Sequence, residues 1–436
     1  MTGSAGPEQT IQPEDQGNEI IGNVAGLSAE AARHGKLRKE VIPRPFDPRG
    51  RDVASSDSES AKTATTRSSL AEFVGYFLWL GAVGFGGPIA LAGHMQQDLV
   101  DTRHWIGSED YVEGLALAQL APGPLAAQLA IYLGYVRAGV LGATLVGIAF
   151  VLPSFLMVLA LSWAYLRFGG LPWMQGMFYG IGAAVIAIIA RSTVKLTRLT
   201  LKKDPLLWAI FGALAVSTAV TSREIIWLVV LGGVVALAAK GMPRKLVVGN
   251  AAAFALPVAV SGSSSLLGIF LYFAKAGMFV FGSGLAILPF LYGGVVEGHH
   301  WLNDRQFLDA VAVAMITPGP VVITVAFIGY LVSGILGATA AALGVFLPVY
   351  VVVVALAPSY KKWAKNPQLN AFVRGVTAAA TGAIAGAVIV LARRSIYDLP
   401  TAVIGITSLL VLFRWKVPEP ALIGVAAAVG LLLHHS

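Results

Sequence analysis

Two Pro-Gly-Pro motifs are the residues of this chain most able to create a chemical site. They are Pro122–Pro124 and Pro318–Pro320, and each lies about ten residues inside a long apolar segment. Two prolines remove two backbone donors and obstruct earlier carbonyls, so each motif predicts a broken helix. A helix that restarts after such a break presents free N–H groups, which favour anions. A packing kink without a ligand is the alternative, and the presence of two equivalent motifs favours a site.

Polar side chains flank both breaks. Gln119 and Gln128 lie on either side of the first motif, and Thr317 and Thr324 lie beside the second. Amide and hydroxyl groups at these places can hydrogen-bond an oxyanion, although each residue alone is a weak signal.

Glycine clusters form a second pair, at Gly84–Pro88 and Phe281–Gly284. Such clusters suit either close helix packing or a backbone that contacts a ligand. Lys275 lies six residues before Phe281 and is the charge most expected within a predicted span (281 − 275). A charge at membrane depth indicates function, whereas a lysine that reaches the interface with its ammonium group is the structural alternative.

Two acidic residues occupy equivalent places, because Glu113 and Asp309 each precede a Pro-Gly-Pro motif by nine residues (122 − 113 and 318 − 309). They are candidate proton carriers, or else solvated helix starts. No nucleotide-binding loop, HExxH motif or catalytic triad is recognisable, so we expect no enzyme, no catalytic residue, no metal and no cofactor. The candidate substrate-binding residues are Lys275, Gly86, Gly87, Gln119, Pro122, Gly123, Pro124, Gln128, Gly282, Ser283, Thr317, Pro318, Gly319, Pro320 and Thr324.

The composition predicts that a membrane surrounds these motifs. The chain has 436 residues, of which 56% are hydrophobic and 12% charged, against about 25% charged in soluble proteins. Residues 310–360 carry no charge at all. Because one span needs about 20 apolar residues, this segment predicts two spans with a break near Val332–Gly334. We predict an all-α, polytopic transmembrane bundle of about 13 spans: 70–92, 112–135, 138–165, 173–190, 206–221, 224–239, 246–260, 266–293, 310–332, 334–356, 371–392, 399–413 and 419–434.

The segment before the first span is polar. Residues 1–68 are rich in Ser, Glu, Gly and Pro and predict a disordered cytoplasmic tail. A basic stretch within it, from Arg33 to Arg51, is either solvated or contacts anionic lipid headgroups. The first apolar run begins near Leu70, too late for a signal peptide. The absence of cysteine excludes disulfides and thiol chemistry.

An internal repeat organises the membrane part. Gly81–Pro153 matches Gly277–Pro348 at an offset of 196 residues (277 − 81), reduced by one after a single-residue deletion. The match preserves the Pro-Gly-Pro, His-Trp and Leu-Gly-Ala-Thr motifs in order, which chance matching of apolar residues would not. We therefore predict a first repeat over 69–245, a linking span over 246–265 and a second repeat over 266–436.

The number of predicted spans gives the two repeats a relative direction. Seven crossings separate span one from span eight, so the repeats should be inverted, an architecture typical of transporters whose site lies at the repeat interface. Basic loops at 191–203, 240–245, 361–365 and 414–416 predict a cytoplasmic N-terminus. The acidic loop with Asp98 and Asp110 then lies outside. Arg393 and Arg394 are also placed outside, which conflicts with the positive-inside rule.

These motifs together resemble the long-chain chromate ion transporters from about Phe73 to the C-terminus. The resemblance implies export of chromate from the cytoplasm across the cell's plasma membrane, chromate resistance, and sulfate as a structural analogue. A sulfate or other oxyanion carrier is the runner-up, and a non-transporting receptor or scaffold is the alternative of another class. The expected partners are chromate, sulfate as a second substrate, and the lipid bilayer, without nucleic acid; a homodimer is left open. The segments that carry the resemblance are Phe85–Pro88, Arg103–Trp105, Gln119–Pro124 and Gln128–Gly134, then Phe281–Gly284, His300–Trp301, Thr317–Pro320 and Phe346–Pro348.

Overall fold

A computed structural model describes residues 68–85, 87–169, 171–221, 226–240, 265–278, 280, 284, 287–359, 366–415 and 417–434. Every regular element within these ranges is a helix. The predicted tail, apart from Ser68, and the predicted span 246–260 lie outside the described residues. The α-helices are α1 Leu70–Val83, α2 Gly87–Met95, α3 Ser108–Leu120, α4 Leu125–Phe168, α5 Pro172–Leu201, α6 Pro205–Thr221, α7 Ile226–Lys240, α8 Leu266–Gly277, α9 Ile287–Leu291, α10 Asp304–Ile316, α11 Thr324–Leu356, α12 Pro367–Ser395, α13 Leu399–Arg414 and α14 Glu419–His434.

The first predicted span is a helical hairpin. Helix α1 begins at a capping box formed by Ser69 and Glu72 and ends at Gly84, after which the chain turns back through α2. The Tyr76 hydroxyl donates to Asp98 at 3.2 Å, so the two limbs run side by side. The prediction of a single membrane span over 70–92 is therefore wrong, because the chain turns back within it. The 14 residues of α1 rise only about 21 Å, less than the roughly 30 Å of a hydrocarbon core.

The first Pro-Gly-Pro motif is also a reversal. The Tyr132 hydroxyl donates to Glu113 at 3.3 Å, and Gly114 packs directly against the Tyr132 ring. Helix α3 and the beginning of α4 therefore run antiparallel on either side of Pro122–Pro124. The break is where the sequence predicts it, but the predicted single span 112–135 is wrong, because the chain turns back there.

The second repeat has the same two hairpins. The Tyr272 hydroxyl of α8 donates to the Phe290 carbonyl at 2.9 Å, so the predicted continuous span 266–293 folds back as well. Tyr165 contacts both Asp309 of α10 and Phe327 of α11, which brings together the limbs on either side of Pro318–Pro320. The predicted single span 310–332 is corrected in the same way.

The helices that follow the Pro-Gly-Pro turns each contain a further reversal. In α4 the backbone leaves helical geometry at Ala138–Gly139, and Gly134 packs against the backbone of Gly142. In α11 the same happens at Ser333–Gly334, which confirms the predicted break near Val332–Gly334. Each helix thus has a short first arm and a long second arm, 140–168 in α4 and 335–356 in α11.

Long apolar helices form the rest of the bundle. Within the described ranges, four helical segments are long and apolar enough to cross a membrane: Leu125–Phe168, Pro172–Leu201, Val321–Ser359 and Pro367–Ser395. Helix α5 packs on α13 and α14, and α12 packs on α6 and α7. Small residues permit these contacts, because Gly180 of α5 touches the backbone of Ala426, and Gly375 of α12 touches that of Gly232. Each repeat's long helix therefore packs against the last two helices of the other repeat.

Candidate functional site

The two Pro-Gly-Pro turns are bonded to the hairpin turns of the opposite repeat. The Gly123 N–H donates to the Val280 carbonyl at 2.6 Å, and the Gly319 N–H donates to the Gly84 carbonyl at 2.8 Å. These two bonds are equivalent under the repeat offset of 196 residues (319 − 123 and 280 − 84). We call this region, defined by Gly84, Gly123, Val280 and Gly319, the junction. It brings together the breaks that the sequence places in separate halves.

The backbone of the junction requires glycine. Gly123 has φ +137° and Gly319 has φ +97°, conformations that residues with a side chain rarely adopt. A Cβ atom at Gly123 would lie 2.8 Å from Val349, and one at Gly319 would lie 2.8 Å from the Ser154 hydroxyl. Val349 belongs to the second repeat and Ser154 to the first, so the close approach also crosses between the repeats.

Side-chain amides line the first turn. Gln128 is completely buried, and its Nε2 donates to the Pro122 carbonyl at 2.7 Å and the Ala121 carbonyl at 3.2 Å. Gln119 lies one turn before the motif, and its Nε2 is buried without a hydrogen-bond partner in the described part of the chain. A buried donor left unsatisfied costs about 1–3 kcal/mol. A ligand that accepts hydrogen bonds would remove that cost, so the Gln119 amide is a candidate ligand contact.

The hydroxyls at the second turn are engaged by the backbone. Thr317 donates to the Val313 carbonyl at 2.6 Å, and Thr324 donates to the Val321 carbonyl at 2.7 Å. The amide N–H groups of Gly123 and Gly319 are engaged as well, in the junction bonds. The free N–H groups that the sequence reading expects must therefore come from the first turn of each restarted helix, where no intrahelical acceptor exists.

The two acidic residues have different partners. Glu113 accepts from Tyr132 within its own hairpin. Asp309 is 3% exposed and accepts from the Tyr165 hydroxyl at 2.8 Å, from the other repeat. The repeat predicts that the acids are equivalent in position, but it gives no sign of Tyr165, which lies 144 residues away along the chain.

The remaining candidate residues lie around the junction or outside the described residues. Lys275 is exposed in the last turn of α8, five residues before Val280 (280 − 275). Gly87 begins α2 with φ +77°. Pro122 is half-buried, whereas Pro124, Pro318 and Pro320 are buried. Gly86, Gly282 and Ser283 lie outside the described residues. A ligand contact by Lys275 and these glycines stays a prediction.

Arg394 is held in an ion-pair network that the sequence does not reveal. Its guanidinium contacts Asp304 at 2.7 Å and Glu297 at 2.8 Å, and it lies over the ring of Tyr292, 5.3 Å from the ring centre. The Tyr292 hydroxyl donates to the same Asp304 carboxylate at 2.5 Å. Two carboxylates therefore compensate Arg394, one of the two arginines that oppose the predicted topology.

Comparison with known proteins assigns the chain to a family. The family model described as chromate transporter matches residues 71–237 and 267–431, one match for each repeat. The chromate transport protein of Cupriavidus metallidurans is 59% identical over 90% of this chain and 99% of its own length. The probable chromate transport protein of Synechococcus elongatus is 54% identical over 86% and 98%, and the chromate transport protein of Pseudomonas aeruginosa is 33% identical over 84% and 94%. No solved structure matches. The chain, with its two matched repeats and their paired Pro-Gly-Pro turns, belongs to the chromate transporter family.

Proposed function

We propose that this chain exports chromate from the cytoplasm across the inner membrane by secondary active transport, and so confers chromate resistance. This chain matches 99% of the length of a relative named chromate transport protein and 98% of one named probable chromate transport protein. The bundle has helices long enough to span a bilayer, and the family model matches once in each repeat.

The junction is the proposed substrate site. The observation that carries this assignment is the buried, unpartnered Gln119 amide beside a Pro-Gly-Pro turn. Chromate is a tetrahedral dianion, which is costly to desolvate unless it is compensated. Each restarted helix contributes roughly half a positive charge at its N-terminus, and Lys275 is the proposed full charge. Sulfate has the same charge and shape, so we expect it to compete.

The two repeats are proposed to be inverted. One contact between the repeats supports this orientation. The Thr144 hydroxyl, early in the second arm of α4, lies 2.7 Å from the Tyr350 hydroxyl, late in that of α11, as in antiparallel arms. Val158, late in the arm of α4, and Ala338, early in that of α11, belong to the same buried hydrophobic cluster, which agrees with this arrangement.

Hairpins change the predicted sidedness of the loops. If the hairpin of α1 and α2 begins and ends at the cytoplasmic face, the loop with Asp98 and Asp110 is cytoplasmic, in place of the outside location expected from sequence. The crossings between the repeats become five, still odd, provided that 246–260 crosses. Arg394 and its two carboxylate partners then lie together outside, so acids compensate one of the two arginines that oppose the positive-inside rule.

Single-cysteine labelling tests this topology, because the native chain has no cysteine. His104 and His300 occupy equivalent, exposed loop positions, so His104→Cys and His300→Cys are matched variants. We expect an impermeant maleimide to label His300→Cys in intact spheroplasts and His104→Cys only after permeabilisation. Labelling of both from the same side would rule out inversion.

Proteoliposome flux tests the substrate assignment. Uptake into inside-out vesicles should be saturable for chromate and inhibited by sulfate, with weaker inhibition by phosphate. Stronger transport of sulfate or molybdate than of chromate would favour the oxyanion-carrier alternative. Absence of flux for every anion, with binding retained, would favour a receptor.

Protons are the proposed coupling ion, carried by Glu113 or Asp309. Both acids lie in the limb that leads to a Pro-Gly-Pro turn, and each accepts a tyrosine hydrogen bond. If protons drive export, Glu113→Gln or Asp309→Asn should remove the pH dependence of flux while chromate binding persists. Unchanged pH dependence in both variants would return the acids to a structural role.

A further inference from the structure

Tyr165 joins the two repeats at the buried acid. It lies near the end of the long arm of α4, in the first repeat, and its hydroxyl donates to Asp309 Oδ2 of α10, in the second. The ring lies edge-on to Phe178 of α5 at 5.5 Å and to Phe327 of α11 at 5.2 Å between ring centres. The phenol is therefore positioned by helices from both repeats, and the bond length depends on how the repeats sit against each other.

Other charged groups near Asp309 do not replace this bond. Arg305 is one turn earlier on α10, and its guanidinium contacts the Gln175 carbonyl of α5 at 3.4 Å. Glu297 and Asp304 are engaged by Arg394 of α12. No salt bridge to Asp309 occurs among the described residues.

The other elements packed on α10 add little charge near Asp309. The acid of α14 is Glu419, and its electrostatic partners are Arg191 and Lys195 of α5. The first arm of α11, residues 324–332, contains no charged residue. Arg167, at the end of α4, is exposed. Tyr165 is thus the hydrogen-bond donor that compensates the Asp309 carboxylate.

The first repeat provides an internal contrast. Glu113, the equivalent acid, is half-buried and accepts from Tyr132 at 3.3 Å. That tyrosine follows the same Pro-Gly-Pro turn, so both partners move together as one hairpin. A displacement between the repeats would leave the Glu113 bond intact and break the Asp309 bond.

We propose that Tyr165 is the positioning residue that links the protonation of Asp309 to the relative placement of the two repeats. The inference rests on the proposed proton coupling. With the bond formed, the phenol O–H stabilises the Asp309 carboxylate. When the repeats move apart, a buried carboxylate without a donor is costly, so it takes up a proton from the aqueous side and becomes a carboxylic acid. Closure restores the bond and releases that proton to water, while Tyr165 keeps its own proton throughout.

Tyr165→Phe tests the inference, because it removes the hydroxyl and keeps the ring that packs on Phe178 and Phe327. The first readout is the infrared signal of protonated carboxyl groups, titrated on purified protein and assigned by its loss in Asp309→Asn. We expect Tyr165→Phe to move the midpoint of that signal upward by about 1–2 pH units, the value of one hydrogen bond to a charged group. Tyr132→Phe, the matched control in the first repeat, should leave the midpoint unchanged.

The second readout is the pH profile of chromate flux in proteoliposomes. Tyr165→Phe should shift the profile in the same direction, and Asp309→Asn should flatten it. The double variant should behave like Asp309→Asn alone, because the phenol acts only through the acid. An unmoved infrared midpoint in folded Tyr165→Phe protein, or additive effects in the double variant, would overturn the inference. The infrared shift needs no flux, so absent chromate transport would count against the proposed substrate and not against this pair.

Discussion

At the first Pro-Gly-Pro turn the side chains on either side are the amides of Gln119 and Gln128, whereas at the second the equivalent positions hold Met315 and Thr324. The junction bonds of the two turns match in partner and length. Met315 is buried, and the Thr324 hydroxyl donates to the backbone. Backbone geometry is therefore shared by both repeats, while the buried side-chain donor left without a partner among the described residues at these turns, Gln119 Nε2, lies in the first. A duplicated scaffold can hold an asymmetric site because only the backbone of the junction must obey the repeat.

Replacing a glycine of the junction should have the largest effect on transport and stability at either turn. In Gly319→Ala the methyl group would meet Ser154 and the residue would be held at a positive φ, a strain of about 1–3 kcal/mol before any clash. We expect transport to fall to background and the melting temperature of the purified protein to drop. Gly123→Ala should do the same.

Two further variants separate strain from general damage. Gly75→Ala, in the middle of α1 with open space around it, should leave flux and melting temperature unchanged or slightly raised. Ser154→Gly combined with Gly319→Ala removes the two closest contacts but keeps the Gly81 carbonyl at 3.2 Å and the backbone strain, so it should restore part of the melting temperature. Full activity of Gly319→Ala alone would show that the junction does not need its present backbone.

Removing the Gln119 amide tests whether the first turn contributes more to chromate binding than the second. A hydrogen bond to a charged ligand is worth about 1.5–3 kcal/mol, so Gln119→Leu should weaken chromate binding by about tenfold to a hundredfold. Thr317→Val removes a hydroxyl that already donates to Val313, and should change binding little. Equilibrium binding on detergent-purified protein measures both. Equal losses in the two variants would contradict the assignment of ligand donors to the first repeat.

The sequence predicts the positions of the breaks better than the direction of the chain after them. Proline and glycine identify Pro122–Pro124 and Pro318–Pro320 by local sterics, and the repeat offset pairs them. The number of consecutive apolar residues, however, is the same for one helix that crosses the membrane and for two limbs that turn back. The sequence of 70–92 therefore predicts a single span. What separates the two is a long-range contact such as Tyr76 to Asp98, which no local pattern encodes.

Partners that lie in different repeats are hidden for a related reason. Tyr165 meets Asp309, and Arg394 meets Glu297 and Asp304, only because helices from separate halves pack together. Aligning the two halves of the sequence shows only the residues that the halves have in common. A side chain that forms its contact in only one repeat cannot be identified by such an alignment.

The two equivalent loops at 103–105 and 299–301 differ in the basic side chain that contacts the equivalent tyrosine and tryptophan. Arg103 lies 4.6 Å from the ring centre of Trp105 and 5.3 Å from that of Tyr76. In the second repeat His299 stacks on Trp301 with ring centres 4.6 Å apart and meets Tyr272 edge-on. Arginine is charged at all accessible pH values, whereas histidine changes its charge near pH 6.5. Of these two stacked side chains, only His299 should therefore change its charge as the pH falls below neutrality.

The smallest predicted effect concerns that response. Burial lowers the pKa of His299 below its ordinary value, so the unfolded chain binds the proton more tightly than the folded one. The resulting stabilisation is fully present above about pH 6.5 and is lost as the pH falls below it. We expect the melting temperature to fall slightly more between about pH 7.5 and pH 5.5 in the wild type than in His299→Gln. His300→Asn, an exposed neighbour whose positive φ asparagine tolerates, should keep the wild-type slope, and Arg103→His should steepen it. Identical slopes in the wild type and His299→Gln would show that the two loops do not differ in this way.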